Sequence, residues 1–549
     1  MILTSPETAR LEESYPFQPR AKHLSLVKFY VTIEPYLQTR QVPSKNDLLS
    51  GYQSKIAAEF LTFFEQGVAW QCSVYVYNVF LHPLSRFPGP KKNAASNWPY
   101  VLEVVGGTRI HYLHGLHQKY GDIVRIGPNE LSFAGASTWK HLYGYSKPGK
   151  PAPYKDPRFY HFLDQEAGAH DMLTADDTDH SRMRRIFTHA FSTKALGLQE
   201  SLLSRHVDNL IHQLSLEIGK EPNQVFNMFK WYGFTSFDII SDLAFGESLK
   251  LLERSSFTPW VDAIRGSYKR GSIIYPAQAW PWFGKIIMQG IKASPLFKKV
   301  MKDRMKHFDF SLGLLKKRLA RPRAENDIWR LVVQAGEKQS LSLKEMHSNA
   351  TLFMTAGTET TASTLSGITY LLTRNPEKLE KLQEELRTAF SSPDSVRATD
   401  LAQLKYLNAV ISETLRIYPP VPTGLPRVVP RGGFQAGQLV IPGGTYVSQA
   451  MFASMHNEGN FRQADDFIPE RWIGEDFATD RKECLLPFSH GPRNCLGQNL
   501  AWYELRFIVA KMFLHFDVTL CDDSRDWMKQ KAYSLWDMGP LNCTLKRRQ

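Results

Sequence analysis

Cysteine is scarce in this chain: there are five in 549 residues, Cys72, Cys484, Cys495, Cys521 and Cys543. They are too few and too scattered for a disulfide framework or a paired zinc site, and a reducing compartment suits them best. No positively charged start leads into an apolar segment, so no ordinary signal peptide is expected. Internal repeats and low-complexity tracts are absent. No Gly-rich dinucleotide fingerprint follows a strand, so no nicotinamide site is expected. Acidic residues are outnumbered, 54 against 67 basic, for a net charge of +13. The basic runs Lys298 to Lys306 and Lys316 to Arg323 lack the aromatic interleaving or finger spacing of a nucleic-acid module. A solvated helix face is the ordinary reading of such runs, and contact with a membrane or a partner is the other. With 43% hydrophobic and 22% charged residues, the composition is that of a globular chain rather than a disordered one.

Four regions are expected. Residues 1–55 form a polar amino-terminal extension, 56–82 a membrane anchor, 83–92 a proline-rich hinge, and 93–549 the globular body. The anchor segment, Ile56 to Leu81, has the length of a bilayer span but contains Glu59 and Glu65. A central carboxylate costs about 2.5–3.5 kcal/mol on insertion scales, so the anchor is marginal. The three prolines of HPLSRFPGPK, His82 to Lys91, forbid continued helix and favour a stiff extended connector.

Within the body, Lys119 to Phe133 reads as a hairpin around a Gly-Pro-Asn-Glu turn. Helical periodicity dominates from about Ala195 to Ala389, and short strands return around Arg427 to Val447, which gives a mainly α fold with small β-sheets. Ser342 and Glu345 have the spacing of a capping box, opening a helix that runs without proline to Asn375. Its middle, AGTETT (Ala356 to Thr361), is a poor helix sequence. Phe353, Ala356, Gly357, Thr360 and Thr364 share a face by spacing. Two readings stand: a groove where a ligand approaches the backbone at Gly357, or a close helix crossing made through small residues.

Glu413 and Arg416 lie one helical turn apart in an apolar helix, and buried charges there need partners; Arg471 of FIPERW is the candidate third member. Finally, PFSHGPRNCLGQNLAWYELR, Pro487 to Arg506, surrounds Cys495 with Gly491, Arg493 and Gly497, just before a helical pattern. A structural cysteine needs only apolar neighbours, so this arrangement points to a thiolate presented to something.

These stretches together resemble the cytochrome P450 family of heme-thiolate monooxygenases, from about Phe87 to the carboxyl terminus. Phe488 to Gly497 is similar to the family's heme-binding loop, Ala356 to Thr361 to its oxygen-binding helix, and Glu413-x-x-Arg416 with Pro469 to Trp472 to its Glu-Arg-Arg lock. The resemblance implies the cytochrome P450 fold and heme b as cofactor, with Cys495 as the axial iron ligand. It implies that Gly491 and Gly497 bring the backbone close to the macrocycle, that Phe488 packs near the ligand, and that Arg493 pairs with a heme propionate. His180 and Arg184 align with a helix that usually carries Trp-x-x-x-Arg, with His180 in the tryptophan's place, and Arg427 is a third propionate candidate. Thr360 would hold a water on the oxygen side and Glu359 relay protons. Pocket-facing candidates are the loop near His161 to Leu173, Phe353, and the Leu425 and Leu535 regions.

The expected reaction is hydroxylation or epoxidation of an apolar small molecule. The expected electron donor is NADPH-cytochrome P450 reductase, with cytochrome b5 as a second candidate. By texture the chain is most similar to fungal microsomal enzymes of secondary metabolism, such as isotrichodermin hydroxylases, which implies an endoplasmic reticulum membrane with the body facing the cytosol. Two alternatives stand beside this: a heme-thiolate isomerase, dehydratase or peroxide-using enzyme, and a non-catalytic heme-binding protein.

Overall fold

The computed structural model describes residues 45–145, 151–160, 168–221, 223–256, 281–321, 327–329, 332 and 341–548. The chain divides into two compact units, residues 1–72 and 73–549. The first holds the helix Lys45–Val76 up to Cys72, with Leu61, Phe63, Phe64, Val68 and Trp70 as exposed side chains. Among the described residues, no helix is long and apolar enough to cross a membrane. Glu59 and Glu65 interrupt the apolar stretch where insertion would cost most.

In the second unit the proline-rich segment is turned, not extended. Ser85 N donates to His82 O and Phe87 N to Leu84 O, at 2.8 and 3.1 Å. Leu84 is fully buried, and Arg125 N donates to Pro88 O at 2.7 Å. The prolines end the preceding helix, as their missing N–H requires. They then fold the chain onto the first hairpin, and the helix Lys91–Ala95 starts directly after Pro90.

The expected hairpin forms from Ile123–Gly127 and Glu130–Phe133, antiparallel, with an irregularity between Arg125 and Gly127. It is the edge of a five-stranded sheet completed by Tyr446–Gln449, Arg427–Val428 and Tyr154–Lys155. Both faces of the hairpin are covered: Leu131 and Phe133 join Trp139, Leu142 and Val447, whereas Val124 and Ile126 join Tyr100, Leu113 and Leu116. Smaller sheets of three and two strands lie elsewhere.

The long helix, Leu343–Arg374, has the full capping box: Glu345 N donates to Ser342 Oγ at 3.2 Å and Ser342 N to Glu345 Oε2 at 2.7 Å. At 1.5 Å per residue it spans about 48 Å, enough to cross a domain. Its main neighbour is Met228–Phe245, buried around nearly its whole circumference. It also packs on Pro295–Leu319, Lys405–Ile417 and Gln498–His515. A helix apolar on all sides belongs inside such a bundle, and the largest hydrophobic core forms there.

Candidate active site

The thiol loop is built by backbone geometry before any side chain acts. Ser489 and Gly491 both have positive φ, 62° and 75°. A Cβ at Gly491 would lie 2.1 Å from the carbonyl oxygen of Tyr143, so no other residue fits that turn. Cys495 N donates to Phe488 O at 2.8 Å and Asn494 N to Gly491 O at 3.1 Å, closing the loop. Phe488 packs half-buried against the main core. Gly497 is different: its φ is −83° and a Cβ there would meet nothing within 4 Å, so the turn itself does not require glycine. Gly497 caps the helix Gln498–His515, and its N–H donates to the Cys495 sulfur. Burial pushes the Cys495 thiol up, while that N–H and the Arg184 charge pull it down. The sulfur is desolvated by surrounding protein, yet Cys495 keeps accessible surface. By contrast Cys484 and Cys543 are buried, and burial raises their thiols to about 12.

Beside the loop several cations converge. Arg493 donates from Nη2 and Nε to Asp177 Oδ1, at 2.6 and 3.2 Å, and from Nη2 to Ala175 O at 3.0 Å. Its Nη1 is buried without a partner. Arg427 donates from Nη1 to the Tyr160 hydroxyl at 2.8 Å and lies over the Tyr143 ring. Lys155 donates to Leu173 O. Burial, then the charges of Arg493 and Arg427, lower its ammonium pKa to about 6. His180 is buried and held neutral, its pKa lowered to about 3 by burial and then by Arg493, Lys155 and Arg184. Arg184 donates to the carbonyl oxygen (2.6 Å) and the Oδ1 of Asn494, the residue before Cys495. Lys155, Asp177 and Asn494 were not singled out from sequence. Asp177 sits in an Asp-rich helix start that reads as capping, which Asp176 performs by accepting from Asp179 N at 2.8 Å.

On the long helix the small, hydroxylated face is narrower than the spacing suggests. Ala356 is exposed in the middle of a mostly buried helix, and Thr360 is half-buried. Thr360 Oγ1 donates back to Ala356 O at 2.8 Å, as Thr355, Thr358 and Thr364 do to their own i−4 carbonyls. Gly357 turns away: a Cβ there would lie 3.1 Å from Ile240 Cγ1, so this glycine admits the neighbouring helix. Phe353, one turn earlier on the same row, packs edge-on against Phe187 and Phe191 at centroid distances of 4.8 and 5.6 Å. It belongs to the core, not to a pocket face. Glu359 is buried. Leu425 and Leu535 are half-buried, and residues 161–167 of the His161 loop lie outside the described residues.

The proposed lock is assembled and fully buried. Arg416 pairs with both Glu413 oxygens at 2.8 and 2.9 Å, and Arg471 Nε reaches Glu413 Oε1 at 3.3 Å. Ile468 N and Trp472 Nε1 also donate to Glu413, at 3.0 and 2.9 Å. Asp480, not anticipated from sequence, is the second carboxylate on Arg471.

The family model described as Cytochrome P450 matches residues 88–541. The chain belongs to the cytochrome P450 family. It is similar to the cytochrome P450 monooxygenase efuB of Hormonema carpetanum, with 41% identity covering 89% of this chain and 96% of the relative. It is also similar to the monooxygenase FUM2 of Gibberella moniliformis, with 39% identity covering 85% and 98%. The averantin hydroxylase of Dothistroma septosporum is 37% identical over 90% of this chain and 92% of the relative. This cytochrome P450 is therefore a heme-thiolate monooxygenase with heme b as cofactor, acting on a small molecule with electrons from a redox partner. The relatives are named as monooxygenases and a hydroxylase, which does not favour the isomerase reading.

Proposed function

We propose that this cytochrome P450 inserts one oxygen atom of O2 into an apolar small molecule, by hydroxylation or epoxidation, in the biosynthesis of a fungal secondary metabolite. Heme b, when bound, supplies the iron chemistry that activates oxygen. Cys495 would hold the heme iron through its sulfur. The observation that carries it is the thiol loop: a desolvated yet accessible sulfur at a helix start, accepting the Gly497 N–H. That hydrogen bond and the helix amino terminus stabilise a thiolate.

The surrounding residues fit the group. Arg493 Nη1 is a buried donor with no protein partner, and it stands with the charged Arg184 and Arg427, while Lys155 and His180 beside them are held largely neutral. Two propionates would answer that excess of positive charge. Arg493 and Arg427 are the first choices to bind them. His180, neutral, contributes a single ring N–H, and Arg184 remains a candidate although its fork holds Asn494. The open space beside Gly497 leaves room for the macrocycle edge. On the oxygen side, Thr360 would hold a water and Glu359 would pass protons, while the buried helix around them limits the entry of bulk water.

Electrons would come from NADPH through cytochrome P450 reductase, with cytochrome b5 as an auxiliary donor. The enzyme would sit at the endoplasmic reticulum membrane, anchored through residues 56–82, with the body in the cytosol. Purified reductase, NADPH and the enzyme should consume NADPH at a rate that rises with substrate, with oxygen incorporated into product. Rearranged product without net NADPH consumption would overturn the monooxygenase chemistry. For topology, the chain has two glycosylation sequons, Asn349-Ala-Thr351 and Asn542-Cys-Thr544, and neither should carry a glycan. Asn349 is fully buried in the long helix, so Asn542 is the informative reporter. A gel shift on glycan removal, traced to Asn542, would put the body in the lumen and exclude a cytosolic reductase.

A further inference from the structure

Two polar side chains near the start of the long helix belong to neither the thiol loop, the cation cluster nor the lock. Ser348 and Asn349 are 8% and 0% exposed. Both are mediocre helix formers, and buried there each must find a partner. Both partners lie on one loop. Ser348 Oγ donates to Ala169 O at 2.8 Å, and Asn349 Oδ1 accepts from Met172 N at 3.0 Å. Asn349 Nδ2 donates to Glu345 O at 2.8 Å, so only one orientation of the amide satisfies both neighbours.

The loop is stiff in itself and is held at its other end too. Asp171 Oδ1 accepts from Thr174 N and Thr174 Oγ1 at 2.8 and 3.0 Å, and Ala175 N donates to Asp171 O at 2.8 Å. Met172 is packed into the main core. Further on, Leu173 O accepts from Lys155, and Ala175 O from Arg493 Nη2. The loop therefore joins the long helix to the cluster beside Cys495. Its helix end is close to the accessible stretch of that helix. Asn349 lies two turns before Ala356 on the same side, about 10 Å along the axis, and Ala356 is exposed in the middle of a mostly buried helix.

We propose that Asn349, with Ser348, is a positioning residue that fixes residues 169–175 as a rigid side wall of the substrate space, between the oxygen-side helix and the heme edge. The wall is pinned at four backbone atoms, Ala169 O, Met172 N, Leu173 O and Ala175 O, so it does not retreat when a ligand presses on it. Ala169 and Leu173 keep part of their surface accessible, which gives the wall apolar atoms to offer. Its setting then decides how much of an apolar ligand is covered, and preorganisation of this kind lowers the ordering cost of binding. This inference deepens the proposed function and rests on its reading of Cys495 as the iron ligand.

The test uses the holoenzyme and N-alkylimidazoles, which bind heme iron through nitrogen and carry an apolar chain of chosen length. The Kd of N-methylimidazole and of N-octylimidazole is read from the Soret shift in the unsubstituted enzyme, Asn349→Ala and Ser348→Ala. Each methylene that is covered tightens binding by about fourfold, so the methyl-to-octyl ratio of Kd measures how well the wall covers the chain. That ratio should fall by about tenfold in Asn349→Ala and by about threefold in Ser348→Ala, with N-methylimidazole bound as tightly as before. A purely structural role would lower the melting temperature and leave the ratio alone. An unchanged or increased ratio in either variant overturns the proposal, and Ser348→Ala decides alone if Asn349→Ala yields no holoenzyme. A Soret band that N-methylimidazole does not move in the unsubstituted enzyme contradicts the iron seat at Cys495 itself, and the inference falls with it.

Discussion

Two clusters of arginines in this molecule obey opposite rules. In the Glu413–Arg416–Arg471 lock every arm is used. Arg416 also donates to Met455 O and Asp466 O at 2.8 and 2.9 Å, and Arg471 to Arg462 O and Gln463 O at 2.7 and 3.1 Å. All three side chains have zero exposure. Beside the thiol loop the accounts are left open. Arg493 keeps a buried Nη1 without a partner, and the carboxylate it does reach, Asp177, is 87% exposed. A structural ion network closes on itself because each unmet charge costs stability. A cluster that binds a ligand keeps donors in reserve, and the unpartnered Nη1 of Arg493 supports the proposed propionate role.

The largest way to break this contrast is inside the lock. Glu413→Ala leaves the buried Arg416 guanidinium without a carboxylate, and Arg471 with Asp480 alone, at a cost of about 3–5 kcal/mol, against a total stability of about 5–15 kcal/mol. Little or no heme-loaded protein should accumulate, read as the Soret absorbance of the purified enzyme. Asp480→Asn removes the outer carboxylate but leaves Arg471 with Glu413. It should cost about 1–3 kcal/mol, visible as a lower melting temperature with heme still bound. Arg493→Ala belongs to the open cluster and should spare the fold. It removes a charge-assisted hydrogen bond of about 1.5–3 kcal/mol, so heme transfer to apomyoglobin should speed up by about tenfold or more.

Thr360→Ala should leave heme content unchanged and raise peroxide released per NADPH. A further effect concerns pH. His456, stacked on Phe452, has its pKa lowered to about 3 by burial and then by the Arg416 charge. Its folded value is below the unfolded one, near 6.5, so the fold prefers the neutral ring. The associated stability is present above about pH 6.5 and is lost as pH falls toward 3. Melting curves across that window should flatten in His456→Gln.

Much of this was legible in the sequence wherever local rules act alone. The capping box at Ser342, the helix end at Asn375, the hairpin turn at Gly127 to Glu130 and the i, i+3 pair Glu413–Arg416 all follow from spacing, and all are found. What sequence spacing could not settle is which of two adjacent helix rows faces a ligand. Phe353 and Gly357 lie one position from the Ala356–Thr360 row, and only the packing of Ile240, Phe187 and Phe191 assigns them to the core. Long-range partners were also invisible. Asp177 meets Arg493 across 316 positions, and Asn494 meets Arg184 across 310. The prolines at 83 and 88 told where helix must stop, but not that the chain would then dock on Arg125.

The central claim is that Cys495 alone, among five cysteines, is presented to heme iron as a thiolate. The most direct measurement is the ferrous carbon monoxide spectrum of the unsubstituted enzyme, Cys495→Ala and Cys484→Ala. The unsubstituted enzyme and Cys484→Ala should show the red-shifted Soret band of thiolate-ligated heme, and Cys495→Ala should lack it. A thiolate Soret band that survives in Cys495→Ala would contradict the assignment.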